Sequence, residues 1–180
     1  SWLDRPDGHR WLCSPPLRGD RARFRELARE GAFDFFATDH CAFLRADKDD
    51  WDGRDVRIVA NGLPGVGGLL HHAWRLWADD PDRAALEVAL RLSKNPAARL
   101  GLDDRKGSLR PGHDADVVVL DPAGPARPVR STESDAWEAF PGFTSNLALR
   151  HVLVHGEPVV EGGALVDGET RRGQIHPTAE

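Results

Sequence analysis

The spacing of hydrophobic residues predicts helices in the first part of the chain and strands in the last part. Apolar side chains recur at helical intervals between Asp20, which can cap a helix, and Gly31, which can end one. The same spacing predicts helices over Val66–Trp77 and Asp82–Ser93, and Asn95-Pro96 then supplies the cap and first-turn proline of a further short helix. The first part of the chain is therefore predicted to be mainly helical.

One apolar run in this helical part has the character of a buried strand. It covers Phe33–Thr38 and ends at the polar pair Asp39 and His40. In α/β barrels, catalytic groups lie at the carboxyl ends of the strands. The charged, turn-rich stretch Ala42–Gly65 that follows is predicted to be a long loop, and such loops are more often functional than idle. Asp39 is therefore a candidate metal ligand or proton carrier.

From residue 106 onward, short β-branched runs replace the helical spacing. Residues 116–121 hold three consecutive valines, while Leu147–Val154 and Glu157–Val160 flank the turn residues His155-Gly156 as a hairpin. A second glycine turn, Gly162-Gly163, precedes a last short apolar stretch. The last part of the chain is therefore predicted to be a small β module.

Composition and charge exclude several classes of protein. The chain has 24 basic and 29 acidic residues, a net charge of -5 and no basic cluster, so a nucleic-acid partner is not expected. Its apolar stretches are shorter than the roughly 20 residues that span a bilayer, and no signal peptide opens it, so we expect a cytoplasmic protein with no membrane partner. Cys13 and Cys41 lie far apart without a Cys-x-x-Cys motif, which favours reduced, buried thiols. The absence of Met, even at position 1, indicates a chain that begins inside a longer protein.

Six short motifs occur in a defined order along the chain. They are Cys13-Ser14-Pro15-Pro16-Leu17-Arg18, Thr38-Asp39-His40-Cys41, Asn61-Gly62-Leu63-Pro64-Gly65, Asn95-Pro96-Ala97, Lys106-Gly107-Ser108-Leu109 and Gly112-His113-Asp114-Ala115-Asp116-Val117. Each motif alone is weak, but the ordered set covers nearly the whole chain. It resembles the carboxyl half of hydantoinases and dihydropyrimidinases in the amidohydrolase superfamily. Dihydroorotases and allantoinases share the Asp-His pair, whereas the first and third motifs favour the hydantoinase branch.

The resemblance implies an α/β fold that is only part of an enzyme. The implied fold is the last part of a (β/α)8 metal-dependent hydrolase barrel followed by a small β-sandwich segment. We expect the barrel portion over residues 1–105 and the β-sandwich segment with the C-terminal tail over residues 106–180. A complete barrel takes about 250 residues, so its amino half is expected from the same gene product or from another chain. A homo-oligomer is also expected.

The resemblance also implies roles for three residues. Asp39 matches the aspartate that ends the eighth barrel strand, binds one of two divalent metals, expected to be Zn²⁺, and moves a proton from the bridging hydroxide to the leaving amide nitrogen. Ser14 and Asn61 match positions that hold the imide of the cyclic substrate, largely through main-chain groups. A metal lowers the pKa of bound water to about 7, and a nearby carboxylate can then carry the proton. The implied reaction opens hydantoin, dihydropyrimidine or related ureide rings.

The family's other metal ligands lie upstream of the matched region. They are a His-x-His pair, a carboxylated lysine and two later histidines. None of the eight histidines here forms His-x-His. The lysines, Lys48, Lys94 and Lys106, are each predicted to lie in polar or turn settings. We therefore expect that this chain does not hold the divalent metals by itself.

Several alternatives stay open at this point. The chain could belong to a dihydroorotase- or allantoinase-type hydrolase, or to a noncatalytic dihydropyrimidinase-like assembly subunit. It could also be a freestanding binding module, which predicts a closed core, whereas a barrel fragment predicts an exposed apolar surface around Phe33–Ala37. Without the resemblance, Asp39 could simply cap the next turn, and His40 could be either catalytic or bonded only to the backbone.

Overall fold

The computed structural model describes residues 2–132 and 135–166, which contain both helices and strands, so the fold is α/β as predicted. The described residues of Ser1–Leu76 and Pro128–Phe143 form one compact unit, and those of Trp77–Arg127 and Thr144–Glu180 form another. The α-helices are α1 (Arg21–Arg29), α2 (Arg45–Asp49), α3 (Leu69–Arg75), α4 (Pro81–Ala89) and α5 (Asn95–Arg99). Short 3-10 turns cover Trp2–Asp4, Gly8–Trp11, Val56–Ile58 and Val66–Gly68, and a π turn covers Leu90–Lys94. None of the helices in this part of the chain is long and apolar enough to cross a membrane.

The first predicted helix is confirmed, but the strand predicted after it is wrong. Helix α1 begins after Asp20 and is followed by Gly31, whose φ of 85° is left-handed. The run Phe33–Thr38 forms no ladder with any described strand, and the nearest pairing is a single parallel bridge between His40 and Leu63. A strand is stabilised by backbone hydrogen bonds to a neighbour. Without such a neighbour, the run is not a strand.

Four partly exposed aromatic side chains belong to this run or to the helix before it, and we call them together the aromatic patch (Phe24, Phe33, Phe35 and Phe36). The rings of Phe24 and Phe33 stack with centroids 5.4 Å apart, and Phe36 lies 6.2 Å from Phe33. Phe24 remains 48% exposed and Phe35 41% exposed. The expected exposed apolar surface is therefore present, as a barrel fragment predicts.

We expect the isolated chain to associate through the aromatic patch, because covering an aromatic side chain is worth roughly 1.5 to 3 kcal/mol. Phe35→Ser should reduce both association and the binding of a hydrophobic dye. Leu109→Ser is the matched control, since Leu109 is 79% exposed and lies in the other unit. Analytical ultracentrifugation measures the effect, and equal association of the two variants would contradict it.

The stretch Ala42–Gly65 contains more regular structure than the predicted loop. It includes helix α2 and the 3-10 turn Val56–Ile58. Aspartate carboxylates bond to backbone N–H groups at the start of both elements: Asp47, the third residue of α2, accepts a hydrogen bond from the Leu44 N–H at 3.0 Å, and Asp55, just before the 3-10 turn, accepts one from the Arg57 N–H at 3.0 Å. Such side-chain caps satisfy backbone donors at the start of short helices.

In the second unit, α4, the π turn and α5 follow one another directly. Asp80 caps α4 by accepting a hydrogen bond from the Arg83 N–H at 3.0 Å. The predicted cap at Asn95 is wrong, because Asn95 has helical torsions of φ -69° and ψ -40° and the chain reaches it through the π turn. On α4, Leu86 is 58% exposed, while Ala84 is buried.

The predicted strands of the second unit are confirmed. They form an antiparallel sheet in the order β1-β4-β5-β6, made of β1 (Val117–Asp121), β4 (Ala148–Val154), β5 (Glu157–Glu161) and β6 (Ala164–Leu165). A second sheet pairs β2 (Arg127–Pro128) with β3 (Thr144–Ser145). The β4–β5 hairpin turns at His155 and Gly156, whose φ values of 53° and 80° suit a two-residue hairpin turn. The Asp116 carboxylate accepts a hydrogen bond from the His155 N–H at 2.9 Å and so fixes this turn.

Candidate active site

A cavity of about 530 Å³ in the first unit brings the first three sequence motifs together. Its walls are Cys13–Pro15 with Leu17, Ala37–Asp39 with Cys41, and Asn61–Gly65, completed by Leu69, His72 and Phe140. Ser14, Asp39 and Asn61, the three residues predicted from the sequence as site residues, all line it. Residues from three separate motifs thus share one concave surface, which is the usual form of a small-molecule site.

Asp39 lies on the cavity wall in an uncommon backbone conformation. Its φ of 48° is in the left-handed region, which non-glycine residues seldom adopt, and its side chain is exposed. The bridge between His40 and Leu63 and the hydrogen bond from the Cys41 N–H to the Leu63 carbonyl, 2.9 Å long, hold the chain directly after it. Such conformations persist where the surrounding structure fixes them and are concentrated at functional sites.

His40 is bonded to the backbone of the neighbouring wall. Its Nδ1 accepts hydrogen bonds from the N–H groups of Gly65 and Val66, at 3.0 Å and 3.2 Å. In the neutral ring, the proton therefore lies on Nε2. His40 links the segment that carries Asp39 to the end of the segment that begins with Asn61.

Ser14 and Asn61 are hydrogen-bonded to each other. The Asn61 side-chain amide donates to the Ser14 hydroxyl at 2.9 Å. The Ser14–Pro15 peptide bond is cis, and the Gly62 N–H donates to the Leu12 carbonyl at 3.1 Å. The two turns are thus joined through both side-chain and main-chain hydrogen bonds.

Lys48 is fully buried beneath these two turns. It donates to the carbonyl oxygens of Leu12 at 3.2 Å and Ala60 at 2.6 Å and lies 5.5 Å from the centre of the Phe43 ring. Burial lowers the pKa of Lys48, while the nearby thiols of Cys13 and Cys41 favour its charged form. The predicted polar or turn setting is therefore wrong for Lys48. Helix α2 has no apolar stripe, yet the side chain of Lys48 is buried.

Helix α2, which carries Lys48, is fixed to the preceding chain by Asp49. The Asp49 carboxylate accepts hydrogen bonds from Arg10 and, at 3.2 Å, from Arg45. The hydrogen bond from Arg10, with that from Arg45, lowers the pKa of Asp49 to about 2. Asp49 is therefore charged throughout the neutral range, and α2 is held in place by an ion pair.

His72 and Phe140 also line the cavity, although neither was predicted as a site residue. The His72 ring stacks on Phe143 with centroids 4.2 Å apart, and Phe140 packs against the buried Trp11. Partial desolvation, with the positive charge of Arg75, lowers the pKa of His72. The signal was absent because His72 and Phe140 lie far apart along the chain.

The two cysteines are more accessible than predicted. Cys41 is exposed, Cys13 is half-buried, and both line the cavity as free thiols. The prediction of two buried thiols is wrong because both cysteines lie on the wall of the cavity. The Cys13 thiol donates to the Pro15 carbonyl at 3.4 Å.

The side chains that the structure describes do not make up a complete metal centre. No group of three or more His, Cys, Asp or Glu side chains that could hold a metal ion occurs within residues 2–132 and 135–166. Divalent metals of hydrolases need several such ligands. Asp39 alone offers an exposed carboxylate on the cavity wall, so the described residues fit one ligand and not a whole site.

Gly62 lies so close to Cys41 that a larger residue cannot be accommodated without movement. An added Cβ would lie 2.6 Å from the Cys41 Cβ and 2.8 Å from its sulfur and carbonyl oxygen. We expect Gly62→Ala to lower the free energy of unfolding by about 1 to 3 kcal/mol, as overpacking usually does. Gly19→Ala is the control, because nothing lies within 4 Å of its added Cβ. Denaturant unfolding of the two variants checks this, and equal midpoints would contradict it.

Comparisons with known proteins agree with this geometry. Residues 12–159 match the amidohydrolase family, and the chain belongs to that family. It is 33% identical over 180 residues to the D-phenylhydantoinase of Escherichia coli O1:K1, covering 96% of this chain but 38% of that protein. The chain thus spans well under half the length of this relative.

Solved structures of hydantoinases share the fold. The D-hydantoinase (dihydropyrimidinase) from Thermus sp. superposes with a TM-score of 0.79 at 24% identity, covering 93% of this chain and 38% of the other. The D-hydantoinase from Bacillus sp. AR9 gives a TM-score of 0.76 at 26% identity, covering 91% and 37%. The similarity and the family match place the chain in a TIM-barrel superfamily.

Proposed function

We propose that this chain is the carboxyl portion of a metal-dependent hydrolase that opens hydantoin, dihydropyrimidine or related cyclic ureide rings. In this proposal it supplies the last part of the barrel and a β-sandwich segment, with the predicted division between residues 105 and 106. The observation that carries the proposal is the shared cavity, whose walls bear Ser14, Asp39 and Asn61. The family match and the hydantoinase relatives support the same class of reaction.

In the proposed reaction, Asp39 carries a proton. An amide nitrogen is a poor leaving group unless it is protonated, and an exposed carboxylate on a fixed turn can take a proton from the attacking water and deliver it to that nitrogen. When bound, divalent metals, expected to be two Zn²⁺, make water nucleophilic at neutral pH and polarise the attacked carbonyl. Asp39 is proposed as one of their ligands, and the remaining ligands are proposed to come from outside these 180 residues.

Ser14 and Asn61 are proposed to hold the imide of the ring through the main chain of their turns. Because the Asn61 amide already donates to the Ser14 hydroxyl, these two side chains brace the turns against each other. Backbone N–H and C=O groups can then pair with the alternating C=O and N–H groups of a cyclic imide, which is a planar arrangement of acceptors and donors. The rings of His72 and Phe140 would form the aromatic side of the cavity.

The missing barrel half is the proposed partner of the aromatic patch. Exposed apolar patches of this kind mark interaction sites, and parallel barrel strands pack side by side around a filled interior. The amino half would place its last strand against the run Phe33–Thr38 and so convert this run into a strand. The amino half is proposed to come from the same gene product or from another chain. The proposal also includes assembly of the whole protein into a homo-oligomer.

A ring-opening assay tests the proposed function on the longest natural protein that contains this chain, loaded with zinc. We expect turnover of hydantoin and dihydrouracil, with dihydroorotate and allantoin as comparison substrates. Faster turnover of either comparison substrate would favour the dihydroorotase or allantoinase alternative. A protein that binds the metals but turns over none of the four substrates would overturn the enzyme proposal and favour the noncatalytic assembly subunit.

A further inference from the structure

The buried ammonium of Lys48 contacts both turns of the proposed imide site. Its two acceptors are the carbonyl oxygens of Leu12, 3.2 Å away, and Ala60, 2.6 Å away. Leu12 begins the turn that leads to Ser14, and Ala60 directly precedes Asn61. Lys48 therefore lies at a junction between two segments that are far apart in sequence.

A lysine in this position needs both carbonyls. Burying an ammonium group is costly unless it is hydrogen-bonded, and hydrogen bonds to charged groups are stronger than those between neutral ones. Lys48 has no exposed surface. The two carbonyls are consequently held at a distance set by one nitrogen atom, and a movement of either turn would leave the buried charge with one acceptor fewer.

Helix α2, which carries Lys48, is itself held in place. Asp49, the next residue of α2, is ion-paired with Arg10 and Arg45. At the other end of the Asn61–Gly65 wall, the His40 ring accepts the Gly65 N–H at 3.0 Å. The wall is thus tied just before its first residue, at Ala60, by Lys48 and at its last residue by His40, and both side chains come from the segment that follows Asp39.

We propose that Lys48 is a positioning residue for substrate binding: it sets the separation between the turns that carry Ser14 and Asn61. This inference rests on the proposed function, because it treats those turns as the imide site. Lys48 does not line the cavity itself, so it acts through the backbone and does not touch the substrate. Its removal should weaken substrate binding much more than the chemical step at Asp39.

The test is Lys48→Met in the longest natural form of the protein, loaded with zinc. Methionine keeps most of the volume of the side chain but is one heavy atom shorter and cannot donate to the carbonyls. We expect KM to rise at least about tenfold while kcat stays within about threefold of the parent. Lys94→Met is the matched control, since Lys94 is exposed in the other unit, and its kinetic constants should not change. An unchanged KM for a folded Lys48→Met protein would overturn the proposal, as would an equal loss of kcat and kcat/KM.

Two further measurements keep the outcome decisive. Lys48→Gln retains N–H donors on a shorter side chain, and it should show a smaller rise in KM than Lys48→Met; it replaces that variant if the latter does not fold. Hydrogen exchange gives a readout without turnover: amides of residues 11–14 and 59–63 should exchange faster in the variant, while those of β4 should not. If the parent protein is inactive, the proposed function fails alone, and unchanged exchange at both turns overturns the Lys48 proposal independently.

Discussion

Asp39→Asn should lower turnover at least about a hundredfold in the complete enzyme. Asparagine keeps the size of the side chain and can still offer an oxygen to a metal, but it cannot accept and release the proton. General acid-base assistance is typically worth about 10² to 10⁴ in rate, and the loss should fall on kcat because proton transfer belongs to the transition state. The measurement is the turnover number for hydantoin at matched metal content.

Ser14→Ala provides the comparison for that variant. The Ser14 hydroxyl accepts a hydrogen bond from the Asn61 amide, and the proposed contact with the imide uses the main chain, so its effect should be much milder. Near-parental turnover of Asp39→Asn at full metal content would remove the proton-carrier role. Asp39 would then be a residue that only shapes its left-handed turn.

The isolated 180-residue chain should neither bind two zinc ions tightly nor open hydantoin or dihydrouracil. The physical reason is the ligand count: one exposed carboxylate, Asp39, cannot replace the several ligands that a hydrolytic metal site uses. We expect activity below detection, which is a far larger effect than that of any single substitution proposed above. Elemental analysis of the purified chain and a ring-opening assay measure both parts.

Complementation supplies the control for this second prediction. Adding the proposed amino half, expressed separately or fused upstream, should restore both zinc binding and turnover, and Asp39→Asn should prevent the recovery of turnover. Two equivalents of zinc retained through dialysis, together with turnover by the isolated chain, would contradict the prediction. The cavity of this chain would then have to be a complete site in some assembly of its own copies.

Local signals were sufficient to predict the elements that depend on neighbouring residues. The α1 helix has its stop at Gly31, and the β4–β5 hairpin has turn residues at His155-Gly156 that tolerate a left-handed backbone. The strand prediction for Phe33–Thr38 was wrong because the apolar character of a run does not by itself provide a partner strand. Pairing is a nonlocal property, and the described residues offer only Leu63 at one end.

The candidate site was predictable only in part for the same reason. Asp39, Ser14 and Asn61 belong to motifs that can be read from the sequence, and the cavity brings them together. The burial of Lys48 was not predicted, because its helix, Arg45–Asp49, contains little besides charged residues. Nothing local indicates that one of them is fully buried. Its burial follows from carbonyls supplied by Leu12 and Ala60, which are distant in sequence.

The hydrogen bonds of Lys48 and Cys41 also make residues 49–59 a candidate for variation in length. Lys48, which directly precedes this stretch, donates to the carbonyl of Ala60, which directly follows it, and the Cys41 N–H donates to the Leu63 carbonyl. Gly53 lies within this stretch, and a Cβ added to it would meet nothing within 4 Å. Lengthening a surface loop costs little chain entropy once its ends are fixed. Insertions near Gly53 could therefore add a recognition element while leaving the hydrogen bonds of Lys48 and Cys41 in place, which gives this segment the properties of an exchangeable module.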